Sequence, residues 1–173
     1  IPPSTPTTDA AVDSHDNAWL ASYGGQSIAV FDKLGKPLTP PEGITFDGKL
    51  GLMQGIIVMP KSGDVWALGL SKNQLLYFPK GDYKNGKIVC EGLKGAEPCK
   101  SMILPFHLGV DQQDRIWVTN ALGAHVTRFS PSDPTKHEKF KTGVYSGSGL
   151  GIDSQGIVWV TNRLGSSLHG AFD

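Results

Sequence analysis

The chain repeats itself, and the repeat limits the folds open to it more than any other feature. Gly109-Val110-Asp111-Gln112-Gln113-Asp114-Arg115-Ile116-Trp117-Val118-Thr119-Asn120 is an apolar run, a polar turn and a second apolar run carrying a Trp. The same phrase returns at Gly151-Ile152-Asp153-Ser154-Gln155-Gly156-Ile157-Val158-Trp159-Val160-Thr161-Asn162. Aligned on tryptophan, four units appear: Trp19, Trp66, Trp117 and Trp159 are separated by 47, 51 and 42 residues. An aliphatic residue stands nine after each (Ile28, Leu75, Val126, Leu168). An aromatic stands twelve after the first three (Phe31, Phe78, Phe129) and thirteen after the last (Phe172). Asp stands six before three of them (Asp13, Asp111, Asp153), with Pro60 in its place in the second. Agreement at so many positions marks an internal repeat, and its period of about 45 residues is that of a blade-type unit.

Within each unit the pattern predicts short alternating strands joined by turns. The first unit reads as a strand near Ala10, a second carrying Trp19 and ending near Ser22, a Gly24-Gly25 turn, and a third over Ser27–Phe31. A fourth is expected somewhere in the looser passage 36–52. The second has strands at 56–59, 65–68 and Gln74–Phe78, then an Asn85-Gly86 hairpin signal leading to an outer strand at 88–90. The third is the clearest, at 107–111, Ile116–Asn120, 126–129 and 136–140. The fourth follows the same course from Leu150 through a third strand. The expected organisation is therefore a Pro- and Thr-rich lead-in at 1–8 and a repeat region at 9–173, with units at 9–52, 53–104, 105–148 and an incomplete 149–173.

These features predict an all-β chain of β-propeller blades, each of four antiparallel strands, with about four blades present. A β-sandwich would accommodate strands at this spacing. It gives no reason for the same Trp at the same point of every unit. A blade does: it cannot bury its faces alone, so a second-strand aromatic packs against the adjacent blade.

Lys plus Arg balance Asp plus Glu at 16 each, which gives the chain no electrostatic reason to seek nucleic acid. No run of about 18 apolar residues is present, so no membrane-spanning helix is expected. The chain does not begin with Met and carries nothing like a signal peptide, which predicts that Ile1 begins a mature, trimmed or cloned segment. Cys90 and Cys99 flank a Gly- and Pro-containing loop that can close as a disulfide, the favoured reading over two separate thiols. A disulfide predicts an extracytoplasmic protein, secreted or periplasmic.

The blade phrases Gly109–Thr119 and Gly151–Thr161 resemble those of the streptogramin lyase and NHL-type propellers, which read approximately Gly-Ile-Ala-Val-Asp-x-x-Gly-x-x-Trp-Val-Thr. The resemblance runs through 10–172 and implies six or seven blades in a closed ring. Four units would then be part of such a ring, or a fragment that completes it by self-association, because an open propeller exposes an apolar blade face and unpaired edges.

The resemblance also implies a binding face, on the side of the loops into the first strands. His107, Asn120, His125, Tyr145, Ser148, Asn162 and Arg163 fall there. Asn120 and Asn162 are equivalent, three residues after their Trp. They read either as strand-end amides satisfying loop backbone or as members of a polar ring able to hold Mg or Ca. His107 is the candidate catalytic residue, since a histidine beside a pocket can act as a general base near neutral pH. The lyases place a catalytic His before the Gly-Ile of an inner strand, with a Glu-x-His pair elsewhere. Here that position falls on Phe106 or Ser148, and no Glu-x-His occurs, so the lyase residues do not carry over. The Asp residues six before each Trp lie on the opposite face and read as turn caps. Neither doubled-carboxylate turn spells a calcium loop, and no nucleophile elbow, zincin motif or phosphate loop is present. The primary expectation is a scaffold that binds a small-molecule or protein ligand. The alternative is a metal-assisted lyase or lactone-opening enzyme.

Overall fold

The computed structural model describes residues 6–143 and 147–162, and the backbone of 168–170. Fourteen β-strands are formed among them, in four antiparallel sheets. The chain divides into two compact units, Ile1–Val89 and Cys90–Asp173.

In the first unit, β1 (Thr7–Val12), β2 (Ala18–Ser22) and β3 (Ser27–Phe31) form one sheet. The next sheet contains β4 (Met53–Val58), β5 (Val65–Gly69), β6 (Gln74–Phe78) and β7 (Lys87–Cys90). In the second unit, β8 (Pro105–Val110), β9 (Ile116–Asn120), β10 (His125–Ser130) and β11 (Asp133–Lys141) pair in sequence order. They are followed by β12 (Gly147–Ile152), β13 (Val158–Asn162) and β14 (Leu168–Gly170). Every strand pairs with its neighbours in the sequence, so each sheet is a meander, as propeller-like blades are. No helix among the described residues is long and apolar enough to cross a membrane.

Two departures from the sequence expectation have a local cause. The first strand begins at Thr7, inside the expected lead-in, where Thr7 pairs with Ser22. The fourth strand expected in 36–52 does not form; only isolated bridges join Ile28 to Ile44 and Phe31 to Pro37. Pro37, Pro40 and Pro41 bring no N–H to a ladder. Gly43, Phe46, Asp47 and Gly48 all take positive φ, which turns the chain out of the extended conformation.

Trp19 and Trp117 do what the repeat predicts of them. Trp19 is fully buried in a core that joins Ala21, Ile28 and Val30 of its own sheet to Met53, Ile56 and Phe78 of the next. Its indole meets Phe78 edge-on, with centroids 5.1 Å apart. In the second unit Trp117 packs with Val126 and Phe140 of its own sheet and with Leu150, Ile152, Val158 and Val160 of the following one. Burying one such side chain contributes on the order of 2–3 kcal/mol.

The aspartates six residues upstream account for the fixed spacing. In Asp13, Asp111 and Asp153, Oδ2 accepts the indole N–H of Trp19, Trp117 and Trp159, at 2.9, 2.8 and 2.9 Å. The other oxygen accepts two backbone N–H groups of the turn: His15 and Asn17, Gln113 and Arg115, Gln155 and Ile157. One carboxylate thus closes the turn and aims the indole. Burial works against the charge of Asp111, but the Trp117 indole, the Arg115 N–H and the Arg115 guanidinium at 2.7 Å outweigh it and hold the carboxyl below its ordinary value. Asp13 is lowered likewise, with burial opposed by Trp19, Asn17 and His15. Asp153 is lowered chiefly by Trp159. In the second sheet, where Pro60 stands instead, Asp64 accepts from the Tyr77 hydroxyl and the Lys80 N–H.

Candidate functional site

Each first strand carries a register irregularity near its start, and the bulges give the candidate site its shape. In the third sheet Pro105 pairs with Asn120 and Leu108 with Val118, which leaves Phe106 and His107 between them. In the fourth, Gly147 pairs with Asn162 and Leu150 with Val160, leaving Ser148 and Gly149 between. Bulges re-aim side chains and are frequent beside functional sites. The buried Thr119 hydroxyl secures both: it accepts the His107 backbone N–H and donates to the Ser148 carbonyl, each at 3.1 Å. Thr161 accepts the Gly149 N–H at 2.8 Å in the equivalent position, and its hydroxyl lies 3.1 Å from that of Ser148.

The backbones of His107 and Ser148 therefore meet at one hydroxyl, at the bulges of β8 and β12. His107 is half-buried there. Asn120 belongs to a different arrangement. It is fully buried; its Oδ1 accepts the Ile103 N–H at 2.8 Å, and its Nδ2 donates to the His125 carbonyl and the Thr127 hydroxyl. The His125 ring lies 3.1 Å from the Ser101 carbonyl. Asn120 and His125 thus tie the loop before β8 to the turn after β9. Asn162 ends β13, half-buried. Tyr145 and Arg163 lie outside the described residues.

Cys90 and Cys99 form the expected disulfide, with Cα atoms 5.7 Å apart. In the loop it closes, the Glu97 carboxylate lies 3.7 Å from the imidazole of His137 on β11.

Of the two amides considered for a divalent ion, that of Asn120 is engaged by the scaffold, by backbone and by Thr127. Among the described residues no group of three or more His, Cys, Asp or Glu side chains is placed to hold an ion. What the sequence did not single out is Thr119, with its counterpart Thr161. The signal was present: both stand two residues after a repeat Trp, where the first two units carry Ala21 and Leu68.

Comparison with solved structures places this architecture. A catalytically inactive variant of virginiamycin B lyase from Staphylococcus aureus, with quinupristin, superposes with a TM-score of 0.73 at 17% identity, covering 98% of this chain and 53% of that one. The chain shares its fold. A streptogramin B lyase structure gives 0.70 at 14% identity, covering 97% and 51%. A B. thetaiotaomicron structure, the extracellular domain of a hybrid two-component system, gives 0.70 at 15% identity, covering 95% and 21%. The chain thus spans about half the length of the two lyases. No family model matches the chain, and no curated protein matches it by sequence.

Proposed function

We propose that this chain is a blade-bearing part of a streptogramin-lyase-like enzyme that opens the ester or lactone ring of a small cyclic ligand. The observation that supports it most is the likeness to virginiamycin B lyase along 98% of the chain. The His107 imidazole stands at an inner-strand bulge, one residue after Phe106, where alignment puts the lyase histidine. In this proposal His107 is the general base, Thr119 holds the bulge that presents it, and Ser148 and Asn162 meet polar groups of the ligand. The Cys90–Cys99 disulfide supports an oxidising, extracytoplasmic setting for the protein.

Incubation with quinupristin, followed by mass spectrometry, tests the proposal. Ring opening by elimination gives a product isomeric with quinupristin, whereas lactone hydrolysis gives one heavier by a water. Either product, lost in His107→Ala with the fold intact, is the expected result. Unchanged quinupristin, together with no saturable binding by folded protein, counts against an enzyme of this kind.

A second reading, a non-catalytic module that binds a small ligand or a protein partner, is favoured by Asn120, whose whole amide serves the scaffold. Calorimetry separates the two: binding of quinupristin without turnover, indifferent to added Mg or Ca, supports the module.

A further inference from the structure

We propose that two copies of this chain bind head to tail, the Trp159 face of one copy receiving the first strand of the other. The contact follows from the packing of one sheet on the next and does not depend on the lyase-like reading. Strand register makes four residue pairs equivalent. Val12, Val58, Val110 and Ile152 each pair with the residue preceding a repeat Trp. Ala10, Ile56, Leu108 and Leu150 each pair with the residue following one.

Both units show what such a pair does. Ile56 and Val58 pack in the core around Trp19 of the preceding sheet. Leu150 and Ile152 pack in the core around Trp117 of the preceding sheet. The corresponding pair in the first sheet, Ala10 and Val12, is exposed, Val12 by 63%. The tryptophan of the last sheet is exposed as well: Trp159 by 42%, against 0% for Trp19 and 2% for Trp117. One chain therefore displays both halves of a contact that it makes twice internally.

Two finer features agree. Gly109, opposite Trp117, leaves the space that the Leu150 side chain fills, and a Cβ there would run into Leu150. Gly151, opposite Trp159, has the same place in its sheet, and a Cβ there would meet nothing within 4 Å. The place is open. The polar part of the contact is also prepared. Thr119, two residues after Trp117, donates to the carbonyl of Ser148, which stands eleven before Trp159. The counterparts are Thr161, two after Trp159, and Thr8, eleven before Trp19; both are exposed. In the assembly the Thr161 hydroxyl donates to the Thr8 carbonyl of the second copy.

The two faces differ, so the contact is heterologous and closes only if its rotation allows.

Sedimentation velocity of the full chain across the micromolar range tests the proposal, with far-UV circular dichroism to confirm folding. The expected result is a reversible dimer. Val12→Glu, at a position already open to solvent, weakens it at least ~10-fold by placing a charge in an apolar seat. Ala10→Cys and Gly151→Cys, the counterparts of Leu150 and Gly109, mixed under mild oxidation, give a disulfide-linked heterodimer that neither variant forms alone. A folded chain that stays monomeric throughout overturns the proposal and leaves Trp159 to a partner of another kind. A dimer indifferent to Val12→Glu, or no selective cross-link in the mixture, overturns it too.

Discussion

Asp111 carries two duties on one carboxylate, since Oδ1 closes the turn and Oδ2 holds the Trp117 indole. Asp111→Asn keeps the shape but sets an amide N–H₂ against a donor on one side or the other. The loss of a buried partner costs about 1–3 kcal/mol, readable as a lower urea midpoint with an unchanged slope. The pH dependence follows from the lowered carboxyl. Its stabilisation is present above the unfolded value, about 3.9 for aspartate, and is lost as pH falls through the folded one. Wild type should therefore lose stability below about pH 4 more steeply than Asp111→Asn. Asn120 is the other residue whose role is read from its partners. Asn120→Ala leaves the Ile103 N–H and the His125 carbonyl without their amide, again at about 1–3 kcal/mol. A role confined to ligand contact predicts a stability change near zero instead.

At the scale of elements, the repeat made the strands legible where side chains alternate or run apolar between turns. Ser27–Phe31, Gln74–Phe78 and Ile116–Asn120 form as the pattern predicts. The irregular parts were harder to read. Pattern alone did not show that the prolines of 36–52 leave the first sheet with three strands. Nor did it show that bulges in β8 and β12 bring His107 and Ser148 to a single threonine, because a bulge is a matter of register. The glycines show the same limit: Gly109 and Gly151 are identical in the motif, yet only Gly109 faces a side chain of the next sheet. Gly109→Ala should cost about 1–3 kcal/mol by overpacking against Leu150. Gly151→Ala, measured in the same denaturation experiment, should leave the folded chain close to wild type. The Cys90–Cys99 loop is a further element with a stability of its own. Replacing both cysteines by serine should remove about 2–3 kcal/mol, the range expected for closing so short a loop.

For the whole molecule, the sequence repeat is a structural repeat, in which a carboxylate and an indole are locked together in three of the four sheets. Proton-detected nuclear magnetic resonance of the indole N–H groups of Trp19, Trp117 and Trp159 reads three of these locks at once during an acid titration. The account predicts three indole signals that move together, each with a midpoint below the ordinary aspartate value of about 3.9, while the fold persists. Indole signals that ignore the titration, or that follow it at an ordinary carboxylate midpoint, would contradict it.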